Sequence, residues 1–447
     1  MQQPQAQPAN GVNLTEQTAD FVAAHRTEDV RQLALKAKRV EGLDLPLALD
    51  QIAGWQIACK KLPQWASCEG IIYPPHISME QCSSQFTAQY KSEIAQTLLT
   101  PAVTVRARMS DSAESDTQET KTGVRVTDSP ESDTLVARSS MVDLTGGFGV
   151  DFSYLARGFS QATYLERQRH LCDLAEHNMA ALGLDQARIV CGDGVEYLRQ
   201  MDPVDFIYLD PARRDEHGSR TYAIEDCTPN VLELRDLLLA KSQCTLVKLS
   251  PMLDWRKAVA DFDGTVREVH IVATGNECKE LLLVLSQQVH EEPSAPRVFC
   301  VNDNQRIDYD SAAYTQGLRI GGKPLPETKN YLYEPNASIM KAGCFDLVEE
   351  RFGVTQVGPS SHLFVSATPV ADFPGRGFAI EAIGGMNKKD IKRLLNGTKQ
   401  ANIAVRNFPL TAPQLRKKLK LADGGPVYLF GTTMQGCDHV LLRTSKI

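Results

Sequence analysis

Four short apolar runs between residues 140 and 211 constrain the fold of this chain more than any other feature. The first run leads into a glycine-rich turn, and the other three are followed, in chain order, by Glu166, Asp193 and Asp210. Such runs are typical of strands buried on both faces of a parallel sheet. Ligands of open α/β sheets bind beyond the carboxyl ends of the strands. The sequence therefore predicts that the turn and the three acids meet at one edge of one sheet.

The glycine-rich turn reads Asp-Leu-Thr-Gly-Gly-Phe-Gly over residues 143–149, and a helical pattern follows. Glycine lets the backbone turn tightly and bring its N–H groups close to a ligand. A glycine loop between a strand and a helix indicates a nucleotide site, with an ordinary glycine turn as the alternative. Counted from Gly147 and Gly149, the third glycine of a dinucleotide fingerprint would fall at Phe152, which weakens a pyrophosphate interpretation.

Glu166 and Asp193 follow the second and third apolar runs and are candidate contacts to a nucleotide. Glu166 stands about twenty residues after the loop, where a carboxylate accepts both ribose hydroxyls. An NAD enzyme would place an acid at the same point, so Glu166 does not choose between cofactors. Asp193 precedes a helical pattern and is either a ligand contact or an ordinary helix N-cap. Asp210-Pro211 is either part of the site or a simple turn after a strand.

Three further apolar runs complete the predicted sheet, at residues 244–249, 265–272 and 280–285. Only residues 273–279 separate the last two runs. This connection is too short for a helical crossover, so these strands should pair antiparallel. The pattern predicts a seven-stranded, Rossmann-like α/β sheet that is parallel except for one hairpin.

Composition sets broad limits. The chain of 447 residues is long enough for two to four domains, and 42% hydrophobic and 23% charged residues are ordinary for a soluble protein. No apolar run approaches the ~20 residues that span a bilayer. The start lacks the features of a signal peptide, so we expect a cytoplasmic protein. The eleven cysteines are scattered, which favours reduced thiols and no metal site.

The chain divides by composition and periodicity into five segments. We expect a helical domain at 1–108, a flexible Ser/Thr-rich acidic insertion at 109–136, the predicted sheet domain at 137–288, a small α+β domain at 289–374 and a basic domain at 375–447. In the fourth segment the pattern predicts strands at 297–301 and 317–320 and one helix over 338–351.

The net charge of −7 hides a basic segment near the C-terminus. Residues 388–420 contain ten lysines and arginines and only one acid, Asp390. Local basicity neutralises phosphates, so this segment is the expected nucleic-acid contact, with a solvated helix face as the alternative. The residues assigned to this contact are Lys388, Lys389, Arg393, Arg416, Lys417 and Lys418.

The chain resembles class I methyltransferases that use S-adenosylmethionine (SAM) and carry a THUMP-like C-terminal domain. The matching motifs lie at residues 143–151, 209–214, 276–281, 405–409 and 415–419. The resemblance implies SAM as cofactor, RNA as substrate, and C-terminal α+β domains of ferredoxin-like and THUMP-like type. By the same resemblance, the residues that bind the cofactor are Asp143, Thr145, Gly146, Gly147, Gly149, Glu166 and Asp193.

The residues expected at the methyl acceptor are Asp210, Pro211 and Arg213. Amine methyltransferases use an Asp/Asn-Pro-Pro-aromatic tetrad to hold the exocyclic amine and stack on the base. Here Ala212 and Arg213 replace its last two residues, and Arg213 is expected to stack on a base or bind a phosphate. Uridine C5-methyltransferases need a cysteine nucleophile at the end of the fifth strand, where this chain has Lys248-Leu-Ser-Pro. The sequence therefore favours a base nitrogen as the acceptor.

Two alternatives remain open at this point. One is an RNA-binding protein that keeps a methyltransferase fold without turnover. The other is a methyltransferase for a protein or a small molecule, whose basic tail is only solvated. No structural metal and no membrane association are expected, and the sequence does not predict an oligomeric state.

Overall fold

The computed structural model describes residues 14–36, 40–100, 139–213, 224–287, 295–314, 329–436 and 439–447, without the side chains of residues 76, 77 and 213. The predicted insertion at 109–136 and the predicted strand at 317–320 lie outside these ranges. The chain forms two compact units. The first comprises residues 1–266 and 282–293, and the second comprises residues 267–281 and 294–447.

The first unit opens with the predicted helical region. Its helices are α1 (Glu16–His25), α2 (Val30–Lys36), α3 (Leu45–Lys61), α4 (Pro63–Ser67), α5 (His76–Gln81) and α6 (Gln85–Leu99). Thr15, Asp44 and Ser84 cap α1, α3 and α6 by accepting a backbone N–H in the first turn. Leucine, alanine and isoleucine at three- and four-residue spacings give these helices their buried faces.

A mostly parallel sheet follows. Its elements are β1 (Ser140–Asp143), α7 (Val150–Leu155), β2 (Gln161–Glu166), α8 (Arg169–Ala181), β3 (Ala187–Cys191), α9 (Gly194–Gln200), β4 (Val204–Leu209), β5 (Ala212–Arg213), β6 (Cys227–Thr228), α10 (Val231–Lys241), β7 (Ser242–Leu249), α11 (Trp255–Asp261), β8 (Val266–Thr274) and β9 (Glu277–Leu285). The strands β3, β2, β1, β4 and β7 are neighbours and run parallel.

The strand order continues from β7 through β9 to β8, as in class I methyltransferases. The hairpin from β8 to β9 turns at Gly275 and Asn276, whose φ angles are +57° and +62°. Positive φ at both central residues is the type I′ turn that joins antiparallel strands. The α/β fold class and the antiparallel hairpin are confirmed. The predicted number of seven strands is wrong, because two further strands extend the sheet beyond β8 and the described residues form nine strands. β5 and β6 form a separate two-stranded ladder.

The second unit contains the β8–β9 hairpin from residue 267 to residue 281. It also contains β10 (Arg297–Asn302) and β11 (Gln305–Asp310), and β10 runs parallel to β8. The remaining elements are β12 (Tyr331–Pro335), α12 (Ala337–Ala342), α13 (Phe345–Phe352), β13 (Thr355–Gln356), β14 (Phe364–Ser366), β15 (Gly375–Gly384), α14 (Lys388–Leu395), β16 (Asn402–Arg406), α15 (Ala412–Leu419), β17 (Val427–Thr433) and β18 (His439–Lys446). They build a seven-stranded sheet in the order β13-β14-β12-β15-β18-β17-β16.

The single helix expected over 338–351 is wrong, because two helices stand there. Gly343 adopts φ +69° and donates its N–H to the Ile339 carbonyl at 2.9 Å, which ends α12. The predicted boundary between the domains at 289–374 and 375–447 falls within this sheet, because β12 pairs with β15. α14 and α15 both lie in the predicted basic domain at 375–447. Apolar residues of both helices, including Leu394 and Leu415, join one buried cluster with β17 and β18.

Candidate active site

The glycine-rich turn packs directly against β2. Gly147 and Gly149 adopt φ +55° and +76°, which glycine accepts without steric cost. A Cβ atom on Gly146 would lie 2.1 Å from the Tyr164 ring. The Gly146 N–H donates to the Leu165 carbonyl at 2.7 Å, and the Tyr164 hydroxyl donates to the Gly147 carbonyl. The turn therefore needs glycine at residue 146 for space and at 147 and 149 for backbone conformation.

Glu166 and the glycine-rich turn are in hydrogen-bond contact, as the sequence predicted. Its Oε2 accepts the Gly147 N–H at 3.1 Å, and its Oε1 accepts the Gln168 N–H at 2.9 Å. Asp143 lies behind the turn and is 1% exposed. Burial raises the pKa of the Asp143 carboxyl well above its usual range, and the Thr145 N–H, which donates to Oδ1 at 2.9 Å, opposes this only in part.

Asp193 is a helix cap in this structure. Its Oδ1 accepts the N–H groups of Val195 and Glu196 at 2.8 and 3.1 Å, at the start of α9. Its Oδ2 lies 3.7 Å from the Arg167 guanidinium. The side chain is 37% exposed, so a carboxylate edge remains open to a ligand.

Asp210 follows β4 and is fixed from two sides. Its backbone N–H donates to Thr145 Oγ1 at 2.6 Å, and its carboxylate forms an ion pair with Lys248 near the end of β7. The surrounding protein raises the pKa of the Asp210 carboxyl by desolvation, and the Lys248 ammonium opposes that rise. The side chain nevertheless keeps 39% of its surface exposed, so it presents a carboxylate edge to the cavity.

One cavity of ≈ 1150 Å³ in the first unit unites most of the predicted site. The predicted residues that line it are Asp143, Thr145, Gly146, Gly147, Glu166, Asp193 and Asp210. Gly149 lies outside the lining at the start of α7, and Pro211 is buried behind Asp210. Arg213 belongs to β5, and its side chain lies outside the described part of the structure. The cavity is large enough for a nucleotide cofactor and part of a second ligand.

Sequence reasoning missed a group of buried polar residues around Asp151, which lines this cavity. Lys91 Nζ of α6 lies 2.9 Å from Asp151 Oδ1 and 3.0 Å from Ser83 Oγ. The hydroxyls of Ser83 and Tyr208 donate to Asp151 Oδ2 at 2.9 and 2.7 Å. Burial alone would raise the pKa of Asp151, but Lys91, Lys248 and the Tyr208 hydroxyl together lower it. No periodicity in the sequence marks these partners.

The six basic residues assigned to RNA binding fall into two groups. Lys388, Lys389, Lys417 and Lys418 are exposed on α14 and α15. The two arginines make contacts within the fold. Arg393 donates to the Ile383 carbonyl at 2.8 Å and pairs with Asp390, and Arg416 donates to the Ala401 carbonyl at 3.1 Å and pairs with Asp423.

Within the described ranges, no cluster of three or more His, Cys, Asp or Glu residues could hold a metal ion. Their cysteines carry free thiols. No helix in these ranges is long and apolar enough to cross a membrane.

The strand order and the cavity at the carboxyl ends of the strands define the class I methyltransferase fold. A solved structure from Porphyromonas gingivalis W83, provisionally named a methyltransferase, is 30% identical to this chain with a TM-score of 0.76. The match covers 96% of this chain and 97% of that one. The chain belongs to the family of that protein.

Family models agree with this assignment at the C-terminus. A ferredoxin-like domain model matches residues 331–374, and a THUMP domain-like model matches residues 375–446. The resemblance drawn from the sequence motifs is thereby confirmed. A search of curated proteins found no match.

Two more distant structures share part of the fold. A SAM-dependent methyltransferase from Agrobacterium tumefaciens is 17% identical, with a TM-score of 0.26 over 34% of this chain and 56% of that one. An O-methyltransferase from Bacillus cereus in complex with SAH is 10% identical, with a TM-score of 0.31 over 60% of this chain and 99% of that one. Neither likeness carries an argument about function.

Proposed function

We propose that this protein is a SAM-dependent methyltransferase that modifies a base nitrogen of RNA. The observation that carries the proposal is the shared cavity, which the glycine-rich turn, Glu166 and Asp210 line together. Bound SAM would supply an electrophilic methyl group. The protein then has to bind the cofactor and the acceptor in one orientation, which is the main source of rate in such transfers.

The donor set around the glycine-rich turn fits SAM. Each carboxylate oxygen of Glu166 accepts one backbone N–H, and the remaining lone pairs can accept hydrogen bonds from two ribose hydroxyls. Gly146 lets the turn pack against the Tyr164 ring, whereas a Cβ atom on Gly147 would meet only the Thr145 carbonyl, at 3.8 Å, so the turn is open to a ligand at Gly147. Asp143 and Thr145, in the first half of the turn, also line the cavity, and the open edge of Asp193 suits an adenine amino group. Gly149 contributes the turn conformation that starts α7.

Asp210 is the proposed acceptor residue. Its carboxylate would accept a hydrogen bond from an N–H of the target amine. Pro211, with its fixed φ angle, restricts the backbone directly after Asp210. Arg213 remains a proposed contact to the base or a phosphate. The buried Cys244 stands near the start of β7 rather than at its rim end, which supports nitrogen over uridine C5 as the acceptor.

RNA is the proposed substrate because of the C-terminal domain. THUMP domains are associated with RNA, and exposed lysines on α14 and α15 can neutralise phosphates. The contacts of Arg393 and Arg416 within the fold make them weaker candidates than Lys388, Lys389, Lys417 and Lys418.

The test is incubation of the protein and labelled SAM with total RNA, and separately total protein, from a strain that lacks this gene. We expect label in RNA, recovered as an N-methylated nucleoside. Asp210→Ala should lower transfer by about 100-fold or more with SAM affinity nearly unchanged. Asp202→Asn, an exposed acid just before β4, is the matched control. Label in protein alone, or a fully active Asp210→Ala variant, would contradict the proposal.

A further inference from the structure

Four charges of alternating sign lie in or beside the lining of the cavity. Lys91 pairs with Asp151, and Lys248 pairs with Asp210. Asp151, Asp210 and Lys248 all line the cavity, whereas the Lys91 side chain has no exposed surface. Each charge comes from a different element, namely α6, α7, β7 and the residue after β4. Such an arrangement is fixed by the whole tertiary fold of the first unit.

Lys248 occupies the central place in this set. It contacts the Asp210 carboxylate, and its positive charge also acts on Asp151. Its side chain is only 16% exposed. Lys91, Ser83 and Tyr208 all contact the Asp151 carboxylate and restrict its rotation. Lys248 is therefore a mostly buried cation that contacts Asp210 and interacts electrostatically with Asp151.

We propose that Lys248 is a positioning residue that holds the Asp210 carboxylate ionised and oriented toward the methyl acceptor. This inference rests on the proposed role of Asp210 in methyl transfer. A protonated Asp210 would offer one acceptor oxygen fewer to the hydrogen atoms of an amine. Desolvation favours that protonated form, and the contact with Lys248 favours the carboxylate. Lys91 neutralises the negative charge of Asp151, so Asp210 is the carboxylate that Lys248 contacts directly.

Several other groups face Asp210 from the elements packed around it. The charges of Asp151 in α7, Lys91 in α6 and Asp143 in β1 interact with Asp210. Tyr208, whose hydroxyl donates to Asp151, stands two residues before Asp210 in β4. Glu233 of α10 and the Cys82 thiol before α6 also line the same cavity. The other titratable groups in its lining are Glu166, Arg167, His170, Asp193, Glu196 and Arg199. Among the described residues, Lys248 is the cation in direct contact with the Asp210 carboxylate.

The first experiment compares pH profiles of methyl transfer to total RNA from the deletion strain. Lys248→Met should lower the maximal rate by about 100-fold at neutral pH, with little change in SAM affinity. Its activity should also rise with pH at a higher pH than that of the wild type, because Asp210 loses the nearby cation. Lys248→Arg should keep the wild-type profile. Lys257→Met, which removes an exposed lysine of α11, should change neither quantity.

The second experiment measures the ionisation of the Asp210 carboxyl directly, by NMR, and does not depend on methyl transfer. The protein is labelled with ¹³Cγ-aspartate, and Asp210→Asn identifies the Asp210 resonance in a pH titration. We expect a higher titration midpoint in Lys248→Met, or in Lys248→Gln if the methionine variant does not fold. An unchanged midpoint, or coincident pH profiles, would overturn the role of Lys248. A wild-type protein that methylates no RNA would overturn the proposed function while the titration still decides the role of Lys248.

Discussion

Lys91 Nζ lies 2.9 Å from Asp151 Oδ1, and the lysine side chain is completely buried. This ion pair connects α6 of the N-terminal helical region to α7, the helix that follows the glycine-rich turn. A buried ion pair contributes little net stability relative to an apolar pair, but removal of one partner leaves a costly unpaired charge. The helical region is thus part of the structure that holds the cavity.

Lys91→Met should destabilise the first unit by about 3–5 kcal/mol, because Asp151 would keep a buried charge without its main partner. Denaturant unfolding followed by tryptophan fluorescence measures this, since Trp55, Trp65 and Trp255 all belong to that unit. The double variant Lys91→Met/Asp151→Asn should recover part of the loss. An unfolding midpoint of Lys91→Met equal to that of the wild type would contradict this account of the pair.

Glu166→Gln should weaken SAM binding by about 10- to 100-fold, because a charged hydrogen bond to the ribose contributes about 1.5–3 kcal/mol. Isothermal titration of each variant with SAM measures the change. Glu176→Gln, at an exposed position of α8, removes the same charge away from the cavity and should bind like the wild type. Equal affinities of both variants would remove Glu166 from the cofactor site.

Asp143→Asn should stabilise the protein near pH 7, by about 1 kcal/mol or more, because the buried carboxylate no longer has to be desolvated. The pKa of Asp143 is higher in the folded state, so its contribution to stability is fully present below the unfolded pKa of ~4 and is lost as pH rises. The advantage of Asp143→Asn should therefore grow from pH 4 to pH 8. Denaturant unfolding at a series of pH values checks it, and a constant difference would show that Asp143 does not titrate as inferred.

Charge reversal at Lys417 and Lys418 should weaken RNA binding and make it less sensitive to salt, by about 0.7 in the log–log slope for each lost phosphate contact. Filter binding or fluorescence anisotropy with total tRNA from 50 to 200 mM salt measures both effects. The matched control is Arg31→Glu/Lys60→Glu, which changes the net charge equally on exposed positions of the helical region. If both double variants lose affinity alike, the basic helices are not a specific contact.

Much of the fold was predictable because it is encoded in local patterns. Short apolar runs identify strands, and Gly275-Asn276 between two of them marks a hairpin. The helix bounds Lys388–Leu395 and Ala412–Leu419 follow from side-chain spacing and from caps at Asn387 and Thr411. The single helix expected over 338–351 fails for an equally local reason, since Gly343 in a left-handed conformation ends the first of two helices.

The convergence of the glycine-rich turn with Glu166 was also predictable, because parallel strands place their carboxyl ends at one edge. The partners of the charged residues were not. Lys248 is 38 residues from Asp210 in sequence and reads as part of an apolar strand, and Lys91 reads as an ordinary helix lysine. The sequence by itself determined the strands, the hairpin and the edge at which the site forms. Only the tertiary structure decided which ammonium meets which carboxylate, because that depends on how α6, α7 and β7 pack and not on any repeat along the chain.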